Sequence, residues 1–381
     1  MKIIITVNTY YPLKDGVQMV TEYHAENLAK QGNEVIVFTP NYGDKEEEEF
    51  NGVKIFRIKA KTKHSFYYGD SEKYIERILN EAEGADAIIN VCTQNPMTDW
   101  CLKVLNKIKC KKILYMHGMY DMRWNKKMIS SFKDVGHKIW NNFRWGIYYA
   151  KLKKFLVYYD EIIQLHRFDY AYKFFLKNYN IKCKIIENAA EDIFFEKKNM
   201  EMENNNFAIC VANYMPRKNQ EIVLKAFYKA NVDKKMGLVL IGSNYNKYCQ
   251  KIINLNDKLE RKYGKKNVRI LYDVSREDTV NFTKNAKIYL MGSKWEAFPI
   301  SIVESMAAGV PFISTDVGCI KSFPGGVIIN NEDEMAYWIE EFCNDNTIRE
   351  YYGKICNTYA KKHMSINNKV NELEKILEGK V

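Results

Sequence analysis

The chain has 381 residues, 46% of them hydrophobic, enough for two α/β domains with separate cores. Nothing approaches about eighteen uninterrupted apolar residues, so no membrane span is expected, and Met1–Asn8 is too short for a signal sequence. The net charge of +11 is concentrated between Cys101 and Asp160, where fourteen Lys and Arg face only Asp121, Asp134 and Asp160, which points to an anionic partner or surface.

Ile3 to Val7 reads as a first strand, and the loop to Gly16-Val17 opens a helix through Val20, Leu28 and Ala29. The strand from Glu34 to Thr39 then completes a βαβ unit. A glycine at such a turn can bring backbone N–H groups to phosphate, so Gly16 is a candidate; alone, it reads equally as a loop glycine. Glu46 to Glu49 reads as a solvated charged loop, and Gly52 to Ile58 alternates as a short strand. Two buried strands follow at Ala87 to Val91 and Lys112 to Met116, the second ending in His117-Gly118. From Trp124 to Tyr159, aromatic residues interleave with Lys and Arg at partly helical spacing. That stretch is either a core helix with a basic solvent face or a surface that grips anionic lipid headgroups. Further strands are expected at Glu161 to Leu165 and Lys184 to Asn188, and the polar run Lys197 to Asn206 reads as a linker.

A second α/β series starts at Phe207 to Ala212 and continues through Asn213-Tyr214-Met215-Pro216-Arg217-Lys218-Asn219-Gln220 into a helix. Strands ending near Gly242 and at Asp273-Val274 follow. The strand Ala286 to Met291 leads into Ser293-Lys294-Trp295-Glu296-Ala297-Phe298-Pro299-Ile300-Ser301-Ile302-Val303-Glu304, with a helix expected from Ser301 to Ala308, stopped by Gly309. This places Glu296 and Glu304 at the carboxyl end of a parallel strand, where open α/β sheets bind ligands. Ser301-x-x-Glu304 also reads as a capping box, and Glu296 alone as a solvated loop carboxylate. Nine scattered cysteines without a C-x-x-C pair fit core positions in a reducing cytosol, and no His/Cys/Asp cluster suggests a metal.

The block from Ser293 to Gly309 resembles the Glu-x7-Glu signature of the retaining, GT-B-fold glycosyltransferases of the GT4 family (glycosyl transferases group 1), with Ala297 at a usual glycine. Three other segments are similar to that family. The loop before Gly16 resembles its Pro-x-x-Gly-Gly turn, with Asp15 at the first glycine. Asn188 to Phe195 resembles its Asn-Gly-Val-Asp segment, with Ala189 and Glu191 substituted. The Pro216-to-Gln220 run resembles a motif whose Arg and Lys embrace the donor diphosphate; Lys218 is present, Asn213 stands at the Arg position, and Arg217 is a candidate replacement.

The resemblance implies an α/β protein of GT-B fold, with two Rossmann-like doubly wound domains facing a central cleft. The acceptor-binding domain is expected at 1–196, rejoined by a C-terminal helix at about 364–381, and the nucleotide-sugar domain at 207–363. It implies transfer of a sugar from a nucleotide-sugar, a UDP- or GDP-sugar, to an acceptor hydroxyl with retention, without a metal or other cofactor. His117, Lys218 and Glu296 are the implied catalytic residues, His117 facing the sugar or acceptor. The implied donor-binding residues are Gly16, Asn213, Arg217, Lys218, Gly242, Asp273, Val274, Glu296, Phe298, Pro299, Ile300 and Glu304. Glu304 would take the ribose hydroxyls, Glu296 the sugar hydroxyls, and backbone N–H groups near Phe298 the sugar and phosphate. Expected acceptors are a glycan, a lipid-linked glycan or a protein, in bacterial cell-surface polysaccharide or glycoprotein assembly. The expected location is cytoplasmic, with 124–159 as a candidate contact to the inner face of the plasma membrane. A nucleotide-sugar 2-epimerase of the same fold is the alternative enzyme. A basic nucleic-acid-binding protein is the alternative class, and it is disfavoured by local charge without a recognition motif.

Overall fold

The computed structural model describes residues 1–13, 15–41, 43, 45–63, 66–124, 131–196 and 206–380. Part of the basic aromatic stretch, at 125–130, and all but the last residue of the expected linker, at 197–205, therefore lie outside the described residues. The chain divides into two units, Met1–Asn188 with Ile366–Val381, and Ala189–Ser365. The division falls ahead of the boundary expected at 196. Ala190 bridges to Ser365, and the turn at Asp192–Phe194 packs on helices of the second unit.

The strands of the first unit are β1 (Lys2–Thr6), β2 (Glu34–Pro40), β3 (Glu47–Phe50), β4 (Val53–Ile58), β5 (Ala60–Lys63), β6 (Phe66–Gly69), β7 (Ala87–Val91), β8 (Lys111–Tyr115), β9 (Glu161–Gln164) and β10 (Lys184–Ile185). Its helices are α1 (Gly16–Lys30), α2 (Ser71–Ala82), α3 (Pro96–Leu102), α4 (Phe132–Leu156) and α5 (Tyr170–Tyr179). The main sheet runs β10-β9-β8-β7-β1-β2-β4-β3, parallel except for the edge strand β3, while β5 and β6 form a separate hairpin. Strand order reverses on either side of β1, as in a doubly wound Rossmann-like sheet. β1 and β7 are almost wholly buried apolar runs, as helices on both faces require.

The glutamates expected to form a solvated loop instead supply β3. Glu48 pairs with Arg57, whose side chain is buried in β4, while Glu47 pairs with Lys54. A buried guanidinium needs a partner, and charges on an edge strand also block further pairing.

In the second unit the strands are β11 (Phe207–Val211), β12 (Gly237–Gly242), β13 (Asn267–Tyr272), β14 (Ile288–Met291), β15 (Phe312–Thr315) and β16 (Gly326–Ile329). The helices are α6 (Gln220–Lys229), α7 (Lys247–Tyr263), α8 (Arg276–Asn285), α9 (Ile300–Ala307), α10 (Glu332–Asn344) and α11 (Asn346–His363). All six strands are parallel in the order β13-β12-β11-β14-β15-β16, so the order reverses between β11 and β14. The last helix, α12 (Ile366–Leu377), belongs to the first unit. There it packs on α1, and its terminal carbonyl at Ile376 accepts from Lys111 Nζ, a cation suited to a helix carboxyl end.

Candidate active site

The switch point of the second unit gathers the charged residues. The loop after β11 is fixed before it reaches α6: Gln220 Nε2 donates to the carbonyls of Ala212 (3.0 Å) and Asn213 (3.1 Å). Asn219 takes a left-handed conformation (φ 50°), and its Nδ2 donates to Gly292 O just beyond β14, at 3.1 Å. Lys294 N donates to Arg217 O at 2.8 Å, lacing the β11 loop to the β14 loop. The two loops thereby hold their side chains at fixed spacing.

Glu296 is the centre of this cluster. Its side chain is 8% exposed, and Oε1 accepts from Lys218 Nζ at 2.6 Å and from Ser293 Oγ at 2.7 Å. Arg217 Nη1 donates to Trp295 O at 3.0 Å and approaches Glu296 Oε2 at 3.4 Å. Arg217 therefore points into the cluster, a direction its position in the chain does not reveal. Asn213, at the motif's arginine position, is exposed, with its carbonyl engaged by Gln220. Gly318 sets the height of the Glu296 loop: its φ is +58°, and a Cβ there would meet Ala297 O at 2.5 Å and Glu296 O at 2.8 Å.

Glu304 lies one turn into α9 and is buried, and its Oε1 accepts from Arg276 Nη2 at the start of α8. Arg276 also pairs with Glu191 and lies over the Phe194 ring at 5.0 Å. Burial raises the Glu304 carboxyl above its ordinary value, while the Arg276 cation opposes that shift. The capping-box reading is not realised. Helix α9 begins at Ile300 behind Pro299, which has no side-chain cap, so Ser301 is already inside the first turn and the Glu304 carboxylate turns to Arg276. Phe298 packs edge-on against Phe323 at 5.3 Å and fixes the approach to α9. The N–H groups of Ile300 and Ser301, in the first turn of α9, have no intrahelical acceptor.

The remaining candidates are dispersed. Gly242 ends β12, where a Cβ would meet the Tyr214 ring at 2.2 Å; its small size serves Tyr214, whose hydroxyl bonds to Leu240 O and Leu271 O. Asp273 follows β13 with φ 54° and donates its N–H to Ser243 O at 2.9 Å, with Val274 next in the chain before α8. Gly16 and His117 belong to the first unit. Gly16 opens α1 behind Asp15, whose Oδ1 accepts from Val17 N (2.9 Å) and Gln18 N (2.8 Å). The Asp15 carboxylate thus takes the two N–H groups that a phosphate at this turn would need. His117 is half-buried behind β8, stacked on Tyr115 at 4.8 Å, and burial lowers its pKa to about 3, so the ring is neutral.

Arg276 and Gly318 were not singled out from the sequence, and Ser293 was named only as the start of the motif block, without a role at Glu296. No spacing rule links Arg276 to a carboxylate on the next helix; only the packing of α8 on α9 joins them. Among the described residues no group of three or more His, Cys, Asp or Glu could hold a metal ion.

Residues 191–369 match the family model described as glycosyl transferases group 1, and residues 14–164 match that of glycosyltransferase family 4. A relative in Methanocaldococcus jannaschii, described as an uncharacterized glycosyltransferase, is 24% identical over 95% of this chain and 94% of its own. Among solved structures, a glycosyltransferase from Rickettsia africae has a TM-score of 0.74 at 16% identity, covering 99% of this chain and 98% of its own. The HepE protein of Anabaena, solved with UDP and glucose, has a TM-score of 0.72 at 13% identity and full coverage of both chains. The shared architecture is the GT-B fold of two Rossmann-like domains.

Proposed function

We propose that this GT4-like glycosyltransferase moves a sugar from a nucleoside-diphosphate sugar to an acceptor hydroxyl with retention of the anomeric configuration and without a metal ion. The observation that supports it is the Lys218–Glu296 pair with Arg217 beside it, at the switch point between β11 and β14. Two cations there suit a diphosphate. They offset the charge that develops on the departing phosphate, the part a divalent ion plays in other transferases. Glu296 then exchanges its lysine for the sugar hydroxyls, and Glu304, one turn into α9, takes the ribose hydroxyls. The free N–H groups of Ile300 and Ser301 would approach the phosphate or sugar. His117, neutral, would offer a hydrogen bond to the sugar or acceptor rather than a charge.

In this reading the second unit binds the donor and the first the acceptor, a glycan, lipid-linked glycan or protein of cell-surface assembly. Asp15 occupies the turn at Gly16, so Gly16 is left out of the donor site. The HepE structure contains UDP and glucose, which makes UDP-glucose the first donor to try, with GDP-sugars next. The test is a donor panel assayed with and without EDTA, with the product linkage read by proton NMR. An inverted linkage, or activity lost with EDTA and restored by Mg²⁺, refutes the mechanism. Interconversion of the donor without an acceptor favours the 2-epimerase reading instead.

A further inference from the structure

The long helix α4 has two faces with different environments. One packs into the first unit: Tyr149, Leu152 and Leu156 are buried, and Trp145, Tyr148 and Phe155 lie against the same core. Polar contacts fix that orientation. Tyr148 Oη donates to Asp99 Oδ1 at 2.6 Å, and Asn142 Nδ2 donates to Met122 O at 2.9 Å. With Tyr159, buried just beyond the helix, half of the aromatics that made this stretch notable in the sequence lie in or against the core.

The opposite face carries Phe132, Ile139, Trp140, Phe143 and Ile147, whose spacings include the three-, four- and seven-residue steps that place them on one helix stripe. All are exposed, from 42% at Ile147 to 96% at Phe132. Lys133, His137 and Lys151 line one flank of the stripe in solvent, and Lys154 closes its carboxyl end. Asp134 is the one acidic residue of the helix, against six Lys and Arg.

We propose that α4 seats this stripe at the headgroup boundary of an anionic lipid bilayer, with Lys133, Lys151 and Lys154 against the headgroups. An apolar stripe with basic flanks, on a helix held rigidly by its other face, has the form of an interfacial helix. Charge decides between lipid and a second copy of the chain: a two-fold contact through this stripe would set these lysines against one another, whereas an anionic bilayer complements them. Among the described residues no helix is long and apolar enough to cross a membrane, so the contact is peripheral. This proposal does not depend on the reaction proposed above.

The test uses the full chain pelleted at low salt with vesicles of equal parts phosphatidylglycerol and phosphatidylcholine, and with vesicles of phosphatidylcholine alone. The wild type is expected to pellet with the anionic vesicles only. The triple variant Lys133→Gln/Lys151→Gln/Lys154→Gln should bind on the order of a hundredfold more weakly, at about fivefold per lysine. Trp140→Ser/Phe143→Ser should lose at least about tenfold through its apolar contacts alone. Both variants change side chains that already stand in solvent. A wild type that stays in the supernatant, binds neutral vesicles equally well, or is matched by the Trp140/Phe143 variant overturns the proposal. So does a dimer in sedimentation equilibrium that the same variant dissolves, since the occupant would then be a second copy.

Discussion

Replacing Arg276 by Met removes the cation that faces the buried Glu304 while keeping most of the side-chain volume. Taking one partner from a fully buried ion pair costs about 3–5 kcal/mol, and an exposed pair is worth about 0–1 kcal/mol. Here the Glu304 side chain is 6% exposed and that of Arg276 33%, so a loss of about 2–3 kcal/mol is expected at pH 8. The loss should depend on pH, and its sign follows from the carboxyl. Burial already raises Glu304 above 4.5, and without Arg276 it rises further. A carboxyl raised in the folded state contributes its stability below the unfolded value and loses it as pH climbs through the folded one. The deficit of Arg276→Met should therefore be small near pH 4.5 and grow toward pH 8. Urea unfolding at the two pH values measures it, with Glu304→Gln and the double variant completing the cycle. In the Glu304→Gln background the arginine substitution should cost about 1 kcal/mol or less at either pH, from the exposed Glu191 pair. An equal cost at both pH values in the wild-type background would refute the idea that Arg276 offsets a buried charge.

Three further outcomes are expected. Lys218→Met should weaken UDP or GDP binding roughly ten- to hundredfold by calorimetry, the worth of about 1.5–3 kcal/mol for hydrogen bonds to a charged group; unchanged affinity removes Lys218 from the diphosphate site. Gly318→Ala should cost about 1–3 kcal/mol in unfolding experiments and lower donor affinity with it, because its Cβ displaces the Glu296 loop; a neutral result would mean that loop is free to shift. Burial raises the Asp99 carboxyl to about 6, where it accepts from Tyr67 and Tyr148. Its contribution, at most about 3 kcal/mol, is complete below pH 3.8 and lost as pH rises through about 6, so Asp99→Asn should flatten the stability profile in that window.

Much of the architecture is local in origin and could be read along the chain. The apolar runs of β1, β7 and β11 follow from strands buried on both faces, and the strand–loop–helix–strand around Glu296 and Glu304 follows from spacing and from the turn at Gly309. Lys218 was picked out through the resemblance of the contiguous Pro216-to-Gln220 run to a family motif, and the structure sets its ammonium against Glu296.

What the sequence could not decide were relations between distant residues. Arg217 and Arg276 carry no sign of their partners, because Glu296 and Glu304 reach them only through the order β11-β14 and the packing of α8 on α9. Asp15 is adjacent to Gly16, yet whether its carboxylate solvates in water or takes the first N–H groups of α1 depends on a backbone angle that residue identity leaves free. The aromatics of α4 share one helical period, which fixes their relative positions around the axis but not which side meets the core. That choice was made by the tertiary structure, through Asp99 and Met122 holding Tyr148 and Asn142, and it left Phe132, Trp140 and Phe143 in solvent. Periodicity is a property of one element, whereas burial is a property of its neighbours.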